Sequence, residues 1–430
     1  MSTETIHISY GRGHLPLELP GEARPTLIRK QQLPKIADPR AAISHVLAKP
    51  INAAPLSELA KGRNSACILI CDITRPVPNR LFLRPMIEIM ATAGIPLANI
   101  SVLVATGLHR PNLGDELAEL VGDPWVLEHV RVENHYARDE AAHVDFGFTP
   151  TRKTPVKLDR LFVEADLRIA TGLVEPHFMA GWSGGRKVIA PGVAHHETIR
   201  TFHSARFMED PLAVQCNLIG NPLHEEQLEI VKMLGEVYGL NTVLDEDRDL
   251  VCVTFGEIIA SHQAAVDFVS TSTMIEMPRK FSTVVTSSAG YPLDKTYYQT
   301  IKGMVTPLDI LEPGGTLIIA SECSEGFGSA EFREAQAKLV ELGPERFLAT
   351  LTAKNLAEID EWQTEMQLKP MRVGRVELYT TGLSPADRDL TAVSVIDDIR
   401  SAIERSIARS GDPAVAVIPE GPYVVPRYVA

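Results

Sequence analysis

Cysteine, surplus positive charge and long apolar runs are what this chain lacks. Its five cysteines, at Cys67, Cys71, Cys216, Cys252 and Cys323, form an odd and scattered set. Only Cys67 and Cys71 lie close together; their spacing is not a CxxC pair, and no second pair follows. Neither a disulfide framework nor a cysteine-held zinc is expected, and reduced thiols of a cytoplasmic protein fit better. Lys and Arg number 42 against 55 Asp and Glu, a net charge of −13. Nonspecific binding to nucleic acid or to an anionic membrane needs the opposite balance. No uncharged apolar stretch reaches the ~18 residues that a membrane span requires. The opening MSTETIHISYGRG lacks the apolar run of a secretory signal. Low-complexity linkers and solenoid repeats are missing too.

What remains is a chain of 430 residues, 45% apolar and 23% charged, long enough for two or three globular domains. Short β-branched runs alternate with helical patterns. SACILICDIT (65–74), ISVLVATG (100–107) and DLRIATGLV (166–174) read as strands, with a helix over PMIEIMATAG (85–94) between the first two. Residues 223 to 276 read as mostly helical. The alternation then restarts with FSTVVTSSAG (281–290), a helix from Tyr297 to Met304, and GGTLIIASEC (314–323). A last helix places Ala392, Ile396, Ile399, Ile403 and Ile407 on one stripe, with Gly411 just beyond. This pattern predicts an α/β protein of two domains with mainly parallel sheets, 1–274 and 275–430, and an active site in the cleft between them.

Ligands of open α/β sheets sit beyond the carboxyl ends of the strands, and the unusual residues of this chain fall there. The first strand runs into Asp72-Ile73-Thr74-Arg75-Pro76, and the second into Thr106-Gly107-Leu108-His109-Arg110-Pro111. The third runs into Glu175-Pro176-His177, then Gly181-Trp182-Ser183-Gly184-Gly185-Arg186-Lys187. Each residue alone is best read as a satisfied loop residue. Together they make a site. The glycine loop fails the phosphate-loop pattern GxxxxGK[ST], because Arg186 stands at the second required glycine and Val188 follows Lys187. It fits instead a backbone that approaches an anionic ligand closely, with Lys187 as a point charge or a nucleophile. A lysine acts as a nucleophile only when burial or a neighbouring cation lowers its pKa, and Arg186 is adjacent. His177 and His203 are candidate metal ligands or acid–base groups. The neighbours His195 and His196 are read as background, since adjacent side chains diverge. In the second half, Tyr298 and Lys302 share a helix face, with Gln299 beside them.

The strings DITRPVP, ATGLHRP, EPHFMAGWSGGRKVIAPG and GYPLDKTYYQTIKG, in this order, resemble the nickel-dependent lactate racemase family. The resemblance runs from about residue 5 to beyond residue 360. It implies a racemase or epimerase that inverts the α-carbon of a small 2-hydroxy acid through a 2-oxo acid. It also implies a nickel-pincer nucleotide, the mononucleotide of pyridinium-3-thioamide-5-thiocarboxylic acid, joined through its thioamide to Lys187. His203 is the matching nickel ligand, and His109 and His177 match the two acid–base histidines. Arg75, Lys302, Tyr298, Gln299 and Met179 match or border the substrate. Asp72, Ser183, Gly184, Gly185, Arg186 and Trp362 fall on the cofactor side. The implied partners are a small 2-hydroxy acid and the enzymes that make and load the cofactor. Trp182 stands where a Phe is more familiar, and the context of His203 departs from the usual pairing. A lysine Schiff-base lyase or aldolase, or a non-catalytic sugar-acid or nucleotide-binding protein, is the alternative that the residues alone leave open.

Overall fold

The computed structural model describes residues 6–429. It divides into two compact units that do not follow a single cut in the chain. The first holds Gln32–Phe202 and Asn217–Thr271; the second holds the stretch through Gln31, His203–Cys216, and everything from Ser272 onward. The division differs from the expected 1–274 and 275–430 mainly at the N-terminus and around His203. At the N-terminus the reason is strand pairing: β1 (Arg24–Leu27) adds in parallel to the edge of the C-terminal sheet instead of joining the strands that follow it in sequence.

The first unit is built on a six-stranded sheet of β2 (Ala66–Cys71), β3 (Ile100–Ala105), β4 (Arg131–Asn134), β5 (Leu167–Leu173), β6 (Tyr238–Leu244) and β7 (Leu250–Glu257). The spatial order is β7-β6-β5-β2-β3-β4, parallel except for the β6–β7 pair. β2, β3 and β5 are nearly continuous apolar runs because helices cover both faces of the sheet. Ile68, Ile70, Val102, Val104 and Ile169 pack with Phe82, Met86 and Met90 of helix α1 (Asn79–Thr92). That helix starts before the expected residue 85 and carries Pro85 inside it. Its buried face runs unbroken through Phe82, Leu83, Met86, Ile87 and Met90, so packing outweighs the lost hydrogen bond. The span 223–276 holds the two expected helical stretches, Pro222–Leu234 and Ile258–Thr273, but β6 and β7 form an antiparallel hairpin between them. The apolar, β-branched YGLNTVL and LVCVTFGE satisfy a buried strand there, and tertiary pairing decides the matter. Helix α3 (Ile258–Thr273) follows that hairpin, and the short helix α2 (Arg186–Ile189) starts within the glycine-rich loop.

In the second unit, β8 (Phe281–Ser287), β9 (Leu311–Ala320), β10 (Arg375–Tyr379), β11 (Ser394–Ile396) and β12 (Ala414–Ile418) join β1 in the order β11-β10-β9-β8-β12-β1. Every pairing in that sheet is parallel. Val285, Ile318 and Val417 pack with Ile399, Ile403 and Ile407 of helix α6 (Ile399–Ser410). The expected stripe begins too early, because Ile396 lies in β11 and Ala392 has a positive φ of 57°. Asp398 caps the helix instead, accepting from the Ser401 N–H. Two further helices carry site residues, α4 (Tyr297–Val305) and α5 (Glu361–Val373). No described helix is long and apolar enough to cross a membrane.

Candidate active site

Three strand ends of the first unit deliver the residues that the loops promised. Asp72 directly follows β2 and is buried. Its Oδ1 accepts from the Thr74 hydroxyl at 2.6 Å, and its Oδ2 lies 2.5 Å from Nδ1 of His109 in the loop after β3. Burial pushes the Asp72 carboxyl upward, but His109, Thr74 and Arg75 outweigh it and hold the group below the usual carboxylate range. An ionised Asp72 takes the Nδ1 hydrogen of His109 and leaves Nε2 of the exposed ring as an acceptor. That is the geometry of an oriented general base.

His177 presents the opposite state. It sits in the small hairpin Pro176–His177/Gly181–Trp182 that follows β5, and its Nδ1 accepts from the Ala180 N–H at 3.2 Å. A neutral ring with Nδ1 as acceptor carries its hydrogen on Nε2. Arg75 pairs with Glu175, a part-buried carboxylate just ahead of that hairpin.

The glycine-rich loop is organised from below. Ser183 donates its hydroxyl to the Leu173 carbonyl at 2.7 Å. Gly184 and Gly185 have φ of 74° and 50°, a region open to glycine. A Cβ on Gly184 would lie 2.9 Å from Val174, and one on Gly185 would lie 2.7 Å from the His262 ring. Arg186 turns inward. It is buried, and its guanidinium donates to the carbonyls of Trp182 and Ala180, each at 2.8 Å, in its own loop. With no carboxylate among these contacts, burial pushes its pKa down to about 9. Lys187, in the first turn of α2, is part-buried; its backbone N–H donates to the Gly184 carbonyl at 3.0 Å, while its side-chain amine makes no hydrogen bond or ion pair among the described residues. Burial, then the charges of Arg75 and Arg186, push its amine down to about 7, with Glu175 a weaker opposing influence. A neutral amine of this kind is a nucleophile near physiological pH.

Met179 is buried in the same loop, its carbonyl accepting from Asn221 Nδ2 at 2.9 Å. His195 and His196 do not diverge: their ring centroids are 4.2 Å apart, and His143 packs edge-on to His195. The nearby His135 bonds Asp159 at 2.9 Å and the Ala194 carbonyl at 3.1 Å, so this histidine cluster braces the segment after the lysine loop.

The second unit holds the other candidates. The buried ring of His203 lies 4.9 Å from that of Trp362, tilted by 40°. Trp362 donates from Nε1 to the Tyr298 hydroxyl at 3.4 Å, and Gln363 donates to the Tyr298 carbonyl at 2.7 Å. Burial, then the Asp360 charge, raise the Tyr298 phenol well above its ordinary value, so it stays protonated. Gln299 has a buried Oε1 without a hydrogen-bond partner, an acceptor left open for a ligand. Lys302 is half-buried one turn after Tyr298 on α4. Among the described residues, three potential metal ligands cluster only at Asp245, Asp247 and Asp249, where Lys35 already pairs with all three. Sequence reasoning missed Glu175 as the partner of Arg75, although it stands in the quoted EPH string. It also missed His262, which lies in an ordinary helical pattern and carries no motif signal.

Residues 10–215 match the model of the lactate racemase N-terminal domain, and residues 278–425 that of the lactate racemase C-terminal domain. A lactate racemase from Lactiplantibacillus plantarum is 31% identical over 381 residues, 87% of this chain and 88% of that protein. One from Thermoanaerobacterium thermosaccharolyticum is 29% identical over 98% of this chain and 99% of its own. The lactate racemase apoprotein structure from T. thermosaccharolyticum superposes with a TM-score of 0.91 at 28% identity, covering 99% of this chain and all of that one. A Thermotoga maritima protein shares the fold at a TM-score of 0.66 and 17% identity, over 91% of this chain and 97% of its own.

Proposed function

Because the chain belongs to the lactate racemase family, we propose that this isomerase inverts the α-carbon of a small 2-hydroxy acid, with lactate as the default substrate. The observation that carries the reading is Lys187: a part-buried amine without a hydrogen bond or ion pair, beside two guanidinium groups, held at about 7. A purely structural lysine would sit against a carboxylate or in water. This one suits covalent attachment of the nickel-pincer nucleotide, and the close approach of backbone at Gly184 and Gly185 suits an anionic group. We assign His203 as the protein ligand to nickel, with Trp362 packed beside it. When bound, that cofactor supplies the acceptor and donor of a hydride.

The chain's own residues then supply orientation and proton transfer. Arg75 is assigned to the substrate carboxylate, which takes over from Glu175 on the guanidinium. Lys302, Tyr298 and Gln299 are assigned to the substrate side, where the open Oε1 of Gln299 takes a hydroxyl donor. His109 Nε2, oriented by ionised Asp72, removes the substrate hydroxyl proton. His177, with its hydrogen on Nε2, stands ready to return a proton when the 2-oxo acid is reduced. Inversion needs one group of each kind, and the two histidines exchange roles for the opposite enantiomer.

The test is coexpression with the cofactor-making enzymes, followed by intact mass, nickel content and chiral chromatography of lactate. The expected result is a mass increase at Lys187, about one nickel per chain and racemisation. An unmodified Lys187 with no nickel under loading conditions refutes the reading. Solvent deuterium appearing at the α-carbon would replace hydride return with carbanion chemistry.

A further inference from the structure

We propose that His262 is a positioning residue for Lys187, its imidazole seated beneath the glycine-rich loop and holding the loop closed around the lysine amine. The inference rests on the reading of Lys187 as the attachment nucleophile. His262 lies on α3, far in sequence from the loop, and is buried. Its Nε2 is 2.8 Å from the Ser183 carbonyl and 3.2 Å from Nη1 of Arg186. A carbonyl can only accept, so Nε2 carries the hydrogen and donates to Ser183. The ring also fills the space against Gly185, where a Cβ would lie 2.7 Å from Cγ of the imidazole. A second tie runs from the same helix. Ser261 Oγ accepts from Asn241 Nδ2 at 3.3 Å, and Asn241 Oδ1 accepts from the Gly185 N–H at 3.0 Å. Neighbouring residues of one helix thus hold two successive peptides of the turn that precedes Lys187.

The arrangement requires a neutral ring. Charged and titratable groups near it are Arg186 and His224, and among the described residues no carboxylate pairs with the ring. Burial and the Arg186 charge both disfavour an imidazolium there. The groups acting on Lys187 are Arg75 and Arg186, which oppose its protonation, and Cys71 and Glu175, which favour it. Once the loop is released from α3, water reaches the amine, Arg186 loses its fixed place, and the amine reverts to an ammonium. His262 therefore acts through the loop, and the nucleophile remains Lys187.

The experiment is competitive labelling of the full-length protein, produced without the cofactor-making enzymes, using trace acetic anhydride across the pH range and reading the Lys187 peptide by mass. Wild type is expected to label with a midpoint near 7. In His262→Leu the midpoint moves up by about one unit or more, so labelling at neutral pH falls at least about five-fold relative to surface lysines. His262→Gln, whose amide N–H can replace Nε2–H, restores the wild-type profile. A wild-type midpoint in the ordinary lysine range refutes the nucleophile reading. A wild-type midpoint near 7 that His262→Leu leaves unmoved refutes the role of His262 alone. If the leucine variant does not fold, 15N spectra of the wild-type imidazole decide. The Nε2–H tautomer, still neutral well below the ordinary histidine range, supports the proposal. The Nδ1–H tautomer, or protonation in the ordinary histidine range, overturns it.

Discussion

Lys187→Met should stabilise the cofactor-free protein, by an amount that depends on pH in a defined way. The wild-type amine is at about 7 in the folded chain against an ordinary 10.5. The folded state therefore binds fewer protons than the unfolded state between these values, and wild-type stability rises with pH across that window. At pH 7 the unfolded amine is fully protonated while the folded one is about half protonated. With about 1.4 kcal/mol per pKa unit, the cost to the fold is about 4 kcal/mol. Lys187 is only part-buried, so screening by water reduces this to about 2–4 kcal/mol. At pH 9 the same arithmetic leaves about 1–2 kcal/mol. Methionine keeps the apolar stem and removes the charge. The assay is urea unfolding of both proteins from pH 6 to 10, with stabilities from linear extrapolation. The variant should gain most at or below pH 7, and the gap should close as pH rises. Equal stabilities at pH 7, or a gap that does not change with pH, would refute the claim that the lysine is held deprotonated at a cost to the fold.

Asp72→Asn should lower kcat of the loaded enzyme by about 10²–10⁴-fold, because the amide no longer fixes the base tautomer of His109. Mass spectrometry should still show the adduct on Lys187, and its loss would reassign Asp72 to cofactor assembly. Glu365 offers an independent check in the second unit. Burial, then the Glu209 charge, raise its carboxyl to about 8 from 4.5, and its Oε1 has no hydrogen-bond partner. The folded state keeps this proton longer than the unfolded state, so wild-type stability falls between pH 4.5 and 8. Glu365→Gln, isosteric with the protonated acid, should stabilise by about 4 kcal/mol at pH 8 and by under about 1 kcal/mol at pH 5 in urea titrations. A constant difference between those pH values would show that the carboxyl is not the cause.

The candidate residues of the first unit were readable because they fall in the loops at strand ends or directly after them. A strand such as ACILIC is recognisable from local composition, and the residues after its last buried position must lie at the sheet edge. Asp72, Arg75, His109, His177 and Lys187 follow from that rule alone. The roles within the loop do not. Arg186 and Lys187 are adjacent, and composition cannot say which faces inward to carbonyls and which keeps a bare amine. The hairpin formed by β6 and β7 was likewise obscured, because short apolar runs suit a buried helix as well as a buried strand until a partner is chosen.

By itself the sequence determined the alternation of strands and helices, the identity of the chemical groups and the order of the four strings that place the chain in its family. These are local or linear properties, set by side-chain periodicity and by which residue types a turn tolerates. Tertiary structure alone decided that the strand Arg24–Leu27 completes the distant C-terminal sheet, that Asp72 meets His109, and that His262 lies under Gly185. It also decided the protonation behaviour of the Lys187 amine. Burial and distant charge are sums over groups far apart in the chain, so the amine falls to about 7 only once the fold has buried it and brought Arg75 near.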